Sequence, residues 1–232
     1  MKQRLLNLPY KWLIFTVTAT GTFMGNLDGG IVNIALPSIA EQFHADIESI
    51  QAVVSVYLLT ITCFLPVFGK LSDMYSRKKL YLGGFFMFGV GSVMCSLATS
   101  LPMLIVARAV QGLSSSAMMA NSQAIIAKAF TGKDRGRALG GIGAVVALGS
   151  LGGPAVGGFL IQHFGWPSVF WVNVPVCAIG IWRGLQIIPR FNPKAKMKMD
   201  KWGAAFFIVA CFSFLYALNE GPNKHWSSPL IL

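Results

Sequence analysis

Seven apolar runs, each long enough to cross a lipid bilayer, recur along this chain of 232 residues. They lie near residues 12–36, 49–69, 80–100, 102–127, 138–162, 167–188 and 203–219. A helix needs about 20 apolar residues to span the hydrocarbon core, and inside that core the backbone must satisfy its own hydrogen bonds. The expected fold is therefore an all-α polytopic membrane protein. Composition agrees, since 54% of residues are hydrophobic and only 12% are charged, which is too apolar for an ordinary soluble domain. The first run follows Lys2, Arg4 and Lys11, as a signal peptide does. Its length and the spans that follow make it an uncleaved first helix instead.

The formal net charge of +11 raises the question of nucleic-acid binding, and the placement of the charges answers it. Of the 19 lysines and arginines, all but Arg108 and Lys224 fall at the ends of alternate runs, around 2–11, 70–79, 128–137 and 183–201. The intervening loops carry Glu41, Asp46, Glu48 and Glu220. By the positive-inside rule the N-terminus is cytoplasmic and the spans alternate from there. No nucleic-acid partner is needed to explain the basic balance. Cys63, Cys95, Cys177 and Cys211 lie inside apolar runs without paired spacing, so packed thiols are expected. His44, His163 and His225 are too dispersed to be metal ligands. No Gly-x-Ser-x-Gly elbow, phosphate-binding loop or His-Glu-x-x-His motif is present, which argues against an enzyme and against ATP-driven transport.

Away from the ends of the runs, two charges remain. Asp28 and Arg108 each cost about 2.5–3.5 kcal/mol on insertion scales, and intramembrane charges of this kind are functional candidates by default. A carboxylate at that depth is placed to attract a cation or accept a proton, which makes Asp28 a candidate coupling residue. At 1.5 Å rise per residue the two lie roughly 6 and 9 Å outward of the centres of their spans, a similar depth. A direct or water-linked pair between them is a hypothesis and not a deduction, since spacing gives neither the rotation of the two helices nor their adjacency. Gly21, Gly25 and Gly29 form an every-fourth-residue stripe that continues to Asn33 and marks a packed or cavity-facing side. Gln111, Asn121 and Gln123 give the fourth run a polarity unsuited to lipid, so it is expected to line a cavity beside the small residues Gly112, Ser116 and Ala120.

Two further patterns concern motion. Gly69, Asp73, Arg77 and Lys78 mark the turn between the second and third runs, with Asp73 and Arg77 at ion-pair spacing if helical. In the fifth run Gly149, Gly153 and Gly157 share one face, joined by Pro154 and Gly158. Small residues permit close helix contact in lipid.

These motifs resemble the major facilitator superfamily. The 69–79 turn is similar to its Gly-x-Leu-Ser/Ala-Asp-x-x-Gly-Arg-Lys/Arg signature, with Ser76 for the usual glycine and Met74 for the common basic residue. Arg108, Gln111 and Gly112 resemble its fourth-helix Arg-x-x-Gln-Gly motif, associated with proton coupling. Gly149, Gly153, Pro154, Gly157 and Gly158 resemble its antiporter motif, which implies a helix partner in a second half beyond this chain. Asp28, Asn33, Ala35, Leu36 and Pro37 resemble the first-helix motif of fourteen-span drug:proton antiporters, with Gly30 where threonine is common. Residues 166–175 resemble the start of the sixth helix in that group, with Pro167 and Ser168 departing from its usual Arg-Trp.

The resemblance implies an N-terminal six-helix transporter bundle over residues 1–188 and a basic cytoplasmic linker over 189–202. A seventh helix and the start of a further external loop or span follow over 203–232, and a C-terminal half is missing. It also implies multidrug efflux in the plasma membrane of a bacterium. A lipophilic or cationic small molecule and protons are the expected partners within the bilayer, with the proton gradient as energy source and no bound cofactor or metal. Asp28, Asn33, Arg108, Gln111 and Gly112 are the expected coupling residues. The alternatives are an exporter of a specific metabolite, lipid or siderophore, and a truncated non-transporting fragment.

Overall fold

The structure, a computed structural model, describes residues 10–189 and 199–224, and the described residues are helical with no strand. Lys2 and Arg4, most of the linker expected over 189–202, and residues 225–232 lie outside the described residues. The helices are α1 (Tyr10–Phe43), α2 (Ile47–Met74), α3 (Arg77–Ser96), α4 (Leu101–Ala129), α5 (Gly132–Phe164), α6 (Ser168–Trp171), α7 (Asn173–Ile187) and α8 (Lys201–Lys224).

Five stretches of the described chain are both long and apolar enough to cross a membrane: Glu48–Met74, Arg77–Ser96, Leu101–Ala129, Gly132–Phe164 and Ser168–Ile187. This differs from the seven expected. α1 has the length, at 34 residues, but Asn26, Asp28 and Asn33 dilute its apolar character. The apolar part of α8, Lys201–Ala217, is shorter. The sixth run remains one span, Ser168–Ile187, but its hydrogen-bond ladder is interrupted between α6 and α7 at Val172, which keeps helical backbone angles. Pro175 is the cause, because it has no N–H to offer the Trp171 carbonyl four residues earlier and its ring crowds that carbonyl. The break places Asn173 at the start of α7, where its side chain is buried.

Six spans pack as two interlocked sets of three. α1 pairs with α5, α4 pairs with α2, and α3 meets α7, so the first helix of each set rests on the second helix of the other. An odd number of crossings per set reverses its direction, which makes α1 and α4 antiparallel and α1 and α5 parallel. α8 rests on the outside of α2. α4 is the central helix, and Gln111 and Asn121, expected to line a cavity, are instead buried in its contacts, while Gln123 is exposed.

The expected glycine seam is present, but its partner is different. On α5 Gly149, Gly153 and Gly157 are buried, and they face α1 of this same chain rather than a helix beyond it. A Cβ at Gly153 would lie 2.7 Å from Gly30 Cα, and one at Gly149 would lie 2.8 Å from the Phe23 carbonyl oxygen. The two backbones touch, and any side chain at the crossing would force them apart. Pro154 is exposed but lies at the edge of the crossing, its Cδ 3.6 Å from where a Gly30 Cβ would stand, whereas Gly158 has nothing within 4 Å of its Cβ position.

At the end of the bundle where the basic residues gather, hydrogen bonds stitch helix ends together. Arg77 on α3 pairs with Asp73 at 2.5 Å and donates to the Ala124 carbonyl at 2.9 Å. Lys78 donates to the Leu185 and Ile188 carbonyls at 2.7 Å each, and cations suit these helix-terminal carbonyls. Lys11 pairs with Asp134, and the Tyr10 hydroxyl donates to the Ile187 carbonyl. At the opposite end Asp46 caps α2 by accepting from the Ser49 N–H at 2.8 Å, and hydrogen bonding from the Ser49 side chain and then its backbone holds the Asp46 carboxyl below the usual carboxylate range.

Candidate functional site: a buried charge pair in the centre of the bundle

Asp28 on α1 and Arg108 on α4 meet directly. Arg108 Nη1 lies 2.5 Å from Asp28 Oδ2, and both side chains are 0% exposed. They sit between two apolar clusters, one built around Leu27, Ile31, Val32, Leu104 and Phe170 and the other around Met24, Tyr57, Phe88 and Met118. No solvent reaches the pair, and desolvation costs several kcal/mol per ion unless further hydrogen bonds complete the site.

Those bonds come from four helices. Asn173 Nδ2, set in place by the α6–α7 break, donates to Asp28 Oδ1 at 2.9 Å. Arg108 Nη1 also donates to Gln111 Oε1 at 2.8 Å, and Arg108 Nε donates to the Val53 carbonyl on α2 at 3.2 Å. Gln111 is fixed in turn by donating to Ser92 Oγ at 2.8 Å, while its Oε1 accepts from the Cys95 thiol at 3.2 Å. Arg108 Nη2 is buried with no partner. The guanidinium carbon stacks 4.0 Å from the centre of the Tyr57 ring, with Phe170 on another side at 5.9 Å. A cation held on an aromatic face in a dry setting gains about 2 kcal/mol or more. The Tyr57 hydroxyl donates to the Gly25 carbonyl at 2.8 Å, tying α2 to α1 one turn from Asp28.

Of the residues expected to act together, Asp28, Arg108 and Gln111 form one cluster, and Gly112 supports it. A Cβ on Gly112 would lie 2.8 Å from the Tyr57 carbonyl oxygen, so the bare backbone there lets α2 bring Tyr57 under Arg108. Asn33 does not belong to the cluster and is exposed. Every-fourth-residue spacing advances 400° around a helix, about 40° beyond a full turn. Gly21 and Gly25 pack against Tyr81 and Ser115, but three such steps rotate Asn33 out of that face. Gly69, Asp73, Arg77 and Lys78 form a separate site at the basic end, roughly 24 Å along α2 from Tyr57.

Three members of the pair's surroundings were not singled out from the sequence: Asn173, Tyr57 and Ser92. Asn173 had a usable signal, since a lone amide two residues before a proline in an apolar run is costly in lipid unless it has a partner. Tyr57 and Ser92 carried none.

A carboxylate and its one cation partner, both fully buried, lose their mutual charge compensation if either is neutralised.

The chain matches the Major Facilitator Superfamily profile over residues 18–219. It is 38% identical over 217 residues to riboflavin transporter RibZ of Clostridioides difficile, covering 93% of this chain and 48% of that protein. It is 36% identical over 217 residues to multidrug resistance protein Stp of Mycobacterium tuberculosis, covering 93% of this chain and 40% of that protein. Multidrug transporter protein MdtP of Bacillus subtilis is 34% identical over 224 residues, covering 95% of this chain and 41% of that protein. The chain thus spans about half the length, or less, of these relatives, which are transporters rather than enzymes. With its helical membrane fold and a profile match over most of its length, the chain belongs to the major facilitator superfamily.

Proposed function

We propose that this chain is the N-terminal part of a longer proton-driven exporter of lipophilic or cationic compounds, working by alternating access in a bacterial plasma membrane with its N-terminus cytoplasmic. The observation that carries the reading is the buried Asp28–Arg108 pair. A proton or a cationic substrate that takes Asp28 leaves Arg108 without its counter-charge. Breaking a buried pair in this way costs about 3–5 kcal/mol, enough to shift an equilibrium between two arrangements from one to the other. Occupancy of Asp28 is thereby coupled to the shape of the bundle. The membrane potential adds about 2.3 kcal/mol per charge per 100 mV. The relatives named for multidrug resistance and multidrug transport support the substrate class.

A second reading, export of a specific metabolite, is favoured by the relative named as a riboflavin transporter. Everted vesicles containing the full-length protein separate the two when supplied with a panel of lipophilic cations, neutral lipophiles and riboflavin. The drug reading requires substrate-dependent proton movement with several cations and its loss in Asp28→Asn at equal expression. Unchanged cation transport in Asp28→Asn rejects the assignment, and transport of riboflavin alone replaces it with the metabolite reading.

A further inference from the structure

Among the described residues, open grooves run along the outside of the bundle, and two of them flank α3. One lies between α3 and α7, has a volume of about 380 Å³, and contains no charged residue in its lining. The other lies between α2 and α3, about 350 Å³, with α4 as its floor. It exists because α2 and α3 each pack closely on α4 but touch one another little. Phe68, Met87, Leu113 and Ala117 line it with apolar surface. Gly83 lowers its wall, being exposed with open space where a Cβ would stand. At the basic end the lining finishes in Lys79.

Lys79 differs from the cations beside it. Arg77 is engaged by Asp73 and the Ala124 carbonyl, and Lys78 by the carbonyls of α7. Lys79 is exposed and has no ion pair among the described residues. Asp73, the acidic group nearest in sequence, is already occupied by Arg77. The groove therefore presents an apolar trough with an unneutralised cation at the membrane-interface end. From Lys79 to Met87 it extends about 12 Å along α3, the length of a substantial part of an acyl chain.

We propose that the α2–α3–α4 groove is a binding site for an anionic phospholipid, with one acyl chain along Gly83 and Met87 and the headgroup phosphate on Lys79. The charge pattern selects the occupant. A free hydrophobic helix would leave Lys79 unanswered, whereas an anionic lipid matches both the trough and its end. Basic residues at the membrane surface attract anionic headgroups, and pockets of this kind between helices hold them. The α3–α7 groove, equally apolar but without a cation, is the internal contrast and should take lipid chains without regard to headgroup.

The test is native mass spectrometry of the full-length protein in detergent, titrated with phosphatidylglycerol or with phosphatidylcholine of the same acyl chains. Phosphatidylglycerol should bind more tightly, and Lys79→Gln should weaken it about fivefold while weakening phosphatidylcholine, whose phosphate charge is offset by its choline, much less. Gly83→Leu, which fills the trough, should weaken both lipids. Lys133→Gln on α5 and Ala178→Leu in the other groove should leave the preference intact. Equal binding of the two lipids overturns the proposal. So does a Lys133→Gln effect as large as that of Lys79→Gln, or undiminished phosphatidylglycerol binding in Gly83→Leu.

Discussion

The α1–α5 crossing predicts opposite outcomes for one substitution made at two glycines five residues apart on the same helix. Gly153→Ala puts a methyl group 2.7 Å from Gly30 Cα, 2.8 Å from Gly30 C and 2.9 Å from Ile31 N. All three are backbone atoms, so no rotamer change relieves them. Ordinary carbon contacts lie at about 3.5–4.0 Å, and the helices must therefore separate by about 1 Å. Overpacking of this kind costs about 1–3 kcal/mol, and the displaced α1 carries Asp28, two residues from the crossing. Gly158→Ala meets nothing within 4 Å and carries no such cost. At about 2–4 °C per kcal/mol for a unit of 150–250 residues, and less for a longer protein, Gly153→Ala should lower the melting temperature of the detergent-purified full-length protein by a few degrees, and by no more than about 12 °C. Gly158→Ala should leave it unchanged. Both are measured by intrinsic tryptophan fluorescence on heating. If Gly153→Ala is as benign as Gly158→Ala, the backbones do not meet at Gly30 and Gly153 and the seam assignment fails.

The charge pair itself predicts strong non-additivity: Asp28→Asn and Arg108→Gln should each destabilise the bundle by about 3–5 kcal/mol, and the double variant by much less than their sum. Chemical denaturation of the four proteins measures this, and additive losses would mean that the two charges do not meet. Asn173→Ala should cost about 1.5–3 kcal/mol by removing the donor to Asp28 Oδ1, and that loss should vanish in an Asp28→Asn background; an unchanged cost there would place Asn173 in another network. Arg77→Ala should raise amide hydrogen exchange in the last turn of α4 and in residues 69–76, because both lose a guanidinium contact. Exchange around Asp28 should stay as it was, and a rise there would link the two sites structurally.

The sequence exposed what was energetically expensive and concealed what depended on rotation. Asp28 and Arg108 stood out because a lone charge in lipid demands an explanation, and counting residues from the span centres placed them at one depth. Their contact then needed only the right facing, which α4's position between α2 and α3 supplies. Asn33 failed for the complementary reason, since spacing by four does not hold a face over three steps. The α5 stripe announced a close approach without naming the partner. A row of glycines says that something touches the helix, and only the packing reveals that it is α1. Tyr57 was hidden because a tyrosine in an apolar run is unremarkable until a guanidinium lies on its ring. The α6–α7 break was legible in principle from Pro175, whose effect on the carbonyl four residues back is local chemistry.

α1 is held on its two sides by contacts of different kinds, and that difference determines how it can move. Against α5 it is fixed by backbone apposition at Gly149, Gly153 and Gly157, with Lys11 and Asp134 tying the two helices at the basic end. Such a seam has no slack and no alternative partner. Against α4 the contact is polar and conditional: Asp28 with Arg108, Thr22 Oγ1 within 3.1 Å of Ser122 Oγ, and Ser122 donating to the Thr18 carbonyl. The backbone seam resists separation of α1 from α5, whereas the α1–α4 contact rests on one ion pair and a few side-chain hydrogen bonds. Under the proposed coupling, neutralising Asp28 would therefore loosen α1 from α4 before it loosened α1 from α5.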